Sequence, residues 1–223
     1  MRHWNHATLT AVAASHKLPC TPNGDNPRPN SMMHRNMDRS GSDDLADAFD
    51  AYARRWPAEA ATAALFGELL AQPGDPFRRE RLAGHFTASC WLVDAGGTRA
   101  LLTHHRKLGL WLQPGGHADG ERDLRVAALK EAREESGLAG LRMEYGIFDL
   151  DRHWIPEHKG VPAHWHYDVR YVVRAGADEA YVVSDESHDL AWRAIADLAI
   201  DAGADDSVRR MAGKWLARGA GQG

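Results

Sequence analysis

Apolar residues recur at helical spacing from about residue 45. Polar residues that cap helices well stand just before them, at 42–44. The spaced apolar positions are Leu45, Ala48, Phe49 and Tyr52. Pro57 predicts the start of a second helix, which ends before Pro73 and Gly74. We therefore predict a helical N-terminal extension over residues 42–76, packed either on its own domain or on a second subunit of a homodimer.

The chain on either side of this extension has a different pattern. Residues 1–41 are rich in turn and breaker residues, and we predict that they are disordered. From residue 77 onward β-prone and helical stretches alternate, and we predict one domain over 77–223. The predicted strands are 86–93, 99–103, 139–150 and 165–173, and the predicted helices are 123–136, 194–199 and 207–217. Strands before and after one long helix indicate the α+β class with a mixed sheet.

The clearest chemical pattern lies on the helix predicted at 123–136. Glu131, Glu134 and Glu135 project from one face, because residues three and four positions apart are neighbours on a helix. Their charges repel each other, and a hard divalent cation such as Mg²⁺, which prefers oxygen ligands, removes that cost. The pair Gly115-Gly116 before the helix lets backbone carbonyls approach the same cation. The pattern predicts a metal site built from these five residues.

This stretch resembles the Nudix box, G-x5-E-x7-R-E-U-x-E-E-x-G-U, where U is aliphatic. Ala132 fills an aliphatic position as a small residue. The other matching positions are Gly116, Glu131, Glu134, Glu135, Gly137 and Leu138. The resemblance covers residues 116–138 and, more weakly, 85–192. It implies a Nudix-like α/β/α sandwich with a mixed sheet, to which the helical N-terminal extension is added.

Two positions depart from the box. Arg122 stands where the family has a loop glutamate, and Glu121 comes one residue early. Lys130 replaces the arginine that orients a metal-binding glutamate in the family. Lysine keeps the charge and loses the planar fork, so it holds a carboxylate less rigidly. We predict orienting roles for Lys130 and, after a small loop shift, for Glu121.

The resemblance implies a hydrolase that depends on Mg²⁺ or Mn²⁺ and cleaves a phosphoanhydride bond in a nucleoside diphosphate linked to a further moiety. A water activated by the cation would attack phosphorus. Glu131, Glu134 and Glu135 are the implied catalytic ligands, and one of them would double as the general base. Glu186, in a later loop, is the other candidate base or else an ordinary exposed acid. A non-catalytic ligand-binding or regulatory module on the same fold is the alternative, which Lys130 and Arg122 keep open.

A polar face is predicted on the strand near 165–173, where polar and apolar residues alternate. The polar residues are His164, His166, Asp168 and Arg170. This face either meets the substrate, with Arg170 and the two histidines binding phosphate or base, or is solvated. His164 and His166 also suit a transition-metal pair, although the sequence does not name a third ligand. His117, directly after Gly116, is a further candidate for substrate binding.

Composition restricts the partners. The formal net charge of -4 and the lack of a long basic patch argue against nucleic acid, so we expect a small nucleotide-like substrate. No apolar stretch approaches the roughly 20 residues that span a bilayer, so no membrane partner is expected. The chain has only two cysteines, which makes a disulfide framework improbable and predicts a reducing, cytoplasmic location.

Overall fold

The sheet is organised around its central strand β1 (His85–Val93), every residue of which is buried. The structure is a computed structural model that describes residues 41–105, 109–183 and 187–220. Residues 1–40 of the segment predicted to be disordered, and the candidate base Glu186, lie outside these ranges.

Within the described residues, eight strands form one mixed sheet. The others are β2 (Arg99–His105), β3 (Trp111–Leu112), β4 (Gly115–His117), β5 (Arg142–Met143), β6 (Asp149–Ile155), β7 (His164–Arg174) and β8 (Ser187–Ala194). β1 pairs in parallel with β7 over its whole length, while β2 and β4 pair with β1 in antiparallel fashion. β5 and β6 both pair with β7, and β3 and β8 with β2. The prediction of a mixed sheet is confirmed.

Five α-helices of the described part of the chain cover the sheet. They are α1 (Gly41–Arg55), α2 (Ala60–Ala71), α3 (Leu124–Ser136), α4 (Ile195–Leu198) and α5 (Asp206–Ala220). The ends of α3 are those that the sequence predicts. The Asp123 carboxylate accepts a hydrogen bond from the Arg125 amide, and Gly137 ends the helix in the left-handed conformation at φ 67°. These caps fix where α3 begins and ends, and so which side of the helix carries the glutamates.

Alternate residues of β1 enter two separate cores. Phe86 and Ala88 pack in a cluster with residues of α1, α2 and α3, whereas Trp91 and Val93 pack with α4 and α5. The sheet therefore lies between two helical layers. α1 and α2 join the first core, where Phe49 and Phe66 meet edge to face at 5.5 Å. The helical extension thus packs on its own domain.

Several predicted boundaries were wrong. The single strand predicted over 139–150 is two strands, β5 and β6, because Gly140 and Gly146 adopt positive φ and break the extended chain. β3, β4 and β8 were not predicted, and the first two have only two or three residues, too few to show an alternation. Among the described residues, no helix is long and apolar enough to cross a membrane.

Candidate functional site

Three glutamates of α3, Glu131, Glu134 and Glu135, form what we call the glutamate trio, and strand β4, which carries Gly115 and Gly116, lies against it. The Gly115 amide donates a hydrogen bond of 2.8 Å to Oε1 of Glu135. A Cβ atom added at Gly116 would lie only 2.6 Å from Cδ of Glu131. The backbone of β4 is thus packed directly on two of the carboxylates, and a side chain at residue 116 would displace the end of Glu131.

Lys130 lies across the outer side of the trio. Its Nζ is 3.1 Å from Oε2 of Glu134 and 3.7 Å from Oε1 of Glu131. The hydrogen bond to Glu134, with the charge of Glu131, raises the pKa of Lys130. The lysine therefore shares its charge between two carboxylates. This position suits the predicted orienting role.

The trio fits a hard divalent cation. Mg²⁺ prefers oxygen ligands, and the trio offers carboxylates on one helix face, opposite the backbone carbonyls of Gly115 and Gly116 on β4. The side chain of Glu131, next to β4, is 16% exposed, and that of Glu134 is 57% exposed. A cation bound by these residues could therefore also contact a ligand that enters from solvent.

A pocket of about 600 Å³ opens beside the trio. Its polar lining includes His117, Asp119, Glu121, Arg122, Lys130 and Glu131. The Glu121 carboxylate accepts a 2.9 Å hydrogen bond from the Asp123 amide, at the start of α3. The Arg122 guanidinium stacks 5.1 Å above the Phe77 ring. Glu121 and Arg122, at and beside the loop position where the box has glutamate, thus line the pocket while holding local partners.

Arg170 lies in the interior and not in this pocket. It is 2% exposed, and its guanidinium is held by Asp168 at 2.7 Å and by Asp149 and Asp151 at 3.3 Å each. Because three carboxylates occupy the guanidinium, the structure favours a structural role over the predicted contact with phosphate. Asp168 in turn accepts hydrogen bonds from the hydroxyl groups of Thr87 and Ser89 on β1.

His164 and His166 project from the same face of β7 and lie beside two further histidines, His85 and His117. The His85 ring lies 5.0 Å from His164, 4.9 Å from His166 and 5.2 Å from His117, between ring centroids. Burial lowers the pKa of His117 to about 4 and that of His166 to about 2, so these imidazoles are neutral at pH 7. Sequence reasoning missed His85. Its alternation with Thr87 and Ser89 on a strand was the available signal.

The NUDIX domain model matches residues 84–212 of this chain. The chain belongs to the NUDIX family. The predictions of a Nudix-type fold and of a Nudix hydrolase are thereby confirmed. The matched range contains the glutamate trio, the glycine pair and all the strands of the sheet.

Solved Nudix structures resemble the chain at low identity. A NUDIX-family hydrolase from Clostridium perfringens is 23% identical, with a TM-score of 0.47, and the match covers 60% of this chain and 97% of that one. An Ap4A hydrolase from C. elegans is 21% identical, with a TM-score of 0.46, covering 61% and 98%. A MutT protein from Methanosarcina mazei is 14% identical, with a TM-score of 0.49, covering 62% and 97%.

At identities and scores this low, the three similarities carry no information about the substrate. Comparison with curated proteins gave no match.

Proposed function

We propose that this Nudix hydrolase depends on Mg²⁺ or Mn²⁺ and cleaves a phosphoanhydride bond in a nucleoside diphosphate linked to a further moiety. The observation that carries the proposal is the packing of Gly115 and Gly116 on the glutamate trio. A surface helix with solvated glutamates needs neither a hydrogen bond from a backbone amide to Glu135 nor a glycine opposite Glu131.

Each residue of the site has a task in this reaction. Glu131, Glu134 and Glu135 would hold the cation, with backbone oxygens of Gly115 and Gly116 close by. When bound, the cation supplies neutralisation of phosphate charge and Lewis acidity. Lys130 keeps the outer carboxylates in position. The pocket beside the trio receives the diphosphate, where His117 donates a hydrogen bond to a phosphate or ribose oxygen.

Two candidates stand for the general base. Glu134 is the most exposed member of the trio, with 57% of its side chain exposed against 16% for Glu131, while Glu135 is half-buried. Glu186 is the candidate from the later loop. Glu186→Gln separates them, since it lowers turnover and removes the acidic limb of the pH–rate profile only if Glu186 takes the proton.

A phosphate-release screen tests the proposal. The full chain is incubated with Mg²⁺ or Mn²⁺ and nucleoside triphosphates, nucleotide sugars, ADP-ribose, dinucleoside polyphosphates and CoA. We expect turnover of one class that requires the cation. Silence across the panel with tight binding of one compound would contradict the proposal and favour the ligand-binding module, for which Arg122 in place of the loop glutamate is the supporting feature.

Lys130 offers a graded prediction. Lys130→Met removes the charge between Glu131 and Glu134, and we expect turnover to fall about tenfold, the effect of losing a group that orients ligands. Lys130→Arg should keep or raise turnover, because arginine supplies charge and a planar fork. Steady-state rates at saturating Mg²⁺ measure both. Loss of activity in Lys130→Arg would mean that the site is built around lysine.

The two adjacent glycines should respond differently to alanine. In Gly116→Ala the new Cβ meets the movable end of Glu131, so we expect turnover to fall at least about tenfold with little change in melting temperature. In Gly115→Ala the Cβ meets the Ser89 backbone, 2.8 Å from Cα, so the fold itself should lose about 1–3 kcal/mol. Thermal melts and rates on both variants check this. Equal destabilisation by the two would contradict it.

A further inference from the structure

A cluster of histidines lies on the polar part of the sheet, apart from the glutamate trio. The strand register creates it, because His166 on β7 pairs with His85 on β1 at one side and with His153 on β6 at the other. His164 lies two residues before His166, so both side chains project from the same face. One ring nitrogen from each of His85, His164 and His166 lies within 4.8 Å of the other two.

In His85 and His164 the Nδ1 atom is hydrogen-bonded to a backbone carbonyl, which leaves Nε2 as the electron donor. Nδ1 of His85 is 3.2 Å from the Arg81 carbonyl, and Nδ1 of His164 is 2.7 Å from the Pro162 carbonyl. A carbonyl only accepts, so both Nδ1 atoms carry a proton, and in the tautomer with a single ring proton Nε2 presents a lone pair. A second ring nitrogen hydrogen-bonded to a backbone carbonyl is one of the arrangements that metal-binding histidines adopt.

Nε2 of His85 is buried and has no hydrogen-bond partner among the residues that the structure describes. A hydrogen bond between Nε2 of His166 and Nε2 of His164, 3.1 Å apart, would account for that pair alone. It leaves His85 with a buried lone pair that nothing satisfies, and buried polar atoms of this kind need an explanation. One cation placed among the three nitrogens satisfies all of them.

We propose that His85, His164 and His166 form a binding site for Zn²⁺ that is separate from the glutamate trio. The donor set consists of three imidazoles and no carboxylate, which suits Zn²⁺ and related transition metals and not Mg²⁺. Nitrogens at tetrahedral zinc lie about 3.3 Å apart, close to the 3.1 Å between His164 and His166. Three protein ligands leave the fourth position of the metal open.

The acidic side chains nearby are committed elsewhere. Asp168 accepts hydrogen bonds from Thr87, Ser89 and Arg170, and Asp151 accepts from His153. They hold the strands in register around the cluster. The proposed site therefore has purely nitrogen ligands from the protein. Its existence does not depend on the hydrolase reaction.

The test measures Zn²⁺ binding by an untagged chain carrying Glu134→Gln and Glu135→Gln, so that neither an affinity tag nor an intact trio contributes. Metal-free protein is titrated with Zn²⁺ against a chromophoric chelator. We expect about one equivalent per chain. Co²⁺ in its place should give the visible absorption of a low-symmetry, roughly tetrahedral site.

Matched glutamine substitutions provide the controls. His166→Gln and His85→Gln should each weaken Zn²⁺ binding by more than about tenfold, whereas His158→Gln, on an exposed loop, should not change it. Circular dichroism confirms that each variant is folded. The melting temperature should rise with Zn²⁺ in the parent and not in His166→Gln. Absence of Zn²⁺ binding, or equal binding by parent and His166→Gln, would overturn the site.

Discussion

Replacing Glu134 and Glu135 together with glutamine is expected to lower turnover at least about 10²-fold while the fold stays intact. Glutamine keeps the shape of each side chain and removes the charge that a hard cation requires. Glu134 lies on the solvent side of α3 and Glu135 contacts β4 through the Gly115 amide, so the change alters no apolar packing. The loss therefore reports on the chemistry of the site.

The stability of this double variant supplies a second readout. Glu131 and Glu135, four residues apart, repel each other by about 0.2–0.5 kcal/mol without a cation, and the substitution removes that repulsion. It also removes the ion pair of Lys130 with Glu134, of similar size. The amide of Gly115 keeps an acceptor, since glutamine retains Oε1. We expect an unchanged melting temperature within about 2–4 °C.

The comparison is made in the substrate screen with Mg²⁺. Glu68→Gln, an exposed glutamate on α2, is the control for loss of a surface charge and should have the parent rate. A double variant that hydrolyses as fast as the parent would show that the trio does not hold the catalytic metal. A variant that unfolds would show that the charges serve the fold.

The local parts of the site were predictable from the sequence. Helix α3 has its start, its end and its glutamate face encoded within the segment 116–138, by the cap at Asp123, the left-handed Gly137 and the spacing of the trio. The glycine at residue 116 was also predicted from its spacing to the glutamates. The size of the effect of a side chain there depends on the contact with Glu131, 15 positions later in the chain.

The non-local parts were not predictable. The alternation of β7 predicted a polar face, but not that this face meets β1, which precedes it by about 80 residues. That pairing brings His85 to His164 and His166. It also buries Arg170 among carboxylates, where a substrate contact had been predicted. A pattern along one strand says which residues share a face and is silent on what covers that face.

The second large effect is expected at Asp149, in the interior of the domain. Its carboxylate is fully buried and contacts three cations, Arg170 at 3.3 Å and Arg210 and Lys214 at 2.7 Å each. Asp149→Asn leaves these buried charges undercompensated, and we expect a loss of about 3 kcal/mol in the free energy of unfolding at pH 7. The value is at the lower end for a broken buried pair, because Asp151 and Asp168 still contact Arg170.

The destabilisation by Asp149→Asn should depend on pH in a direction set by the pKa of Asp149. Burial alone would raise the pKa of Asp149, but the hydrogen bond from Arg210 and the charges of Arg170 and Lys214 hold it below the usual 3.8. The carboxylate thus stabilises the fold fully above its unfolded pKa, and this contribution is lost as pH falls through the folded pKa. The difference between parent and Asp149→Asn should therefore be constant from pH 7 to about pH 5 and shrink below about pH 4.

Urea unfolding across this pH range measures the difference, with Asp201→Asn as the matched control. Asp201 lies on the surface, 3.7 Å from Arg193, so its loss should cost less than about 1 kcal/mol at every pH. A small effect of Asp149→Asn at pH 7 would mean that water or a shift of Arg210 relieves the buried cations. A large effect that persists below the folded pKa of Asp149 would mean that the loss comes from altered packing, because the Asp149 charge is then absent from both proteins.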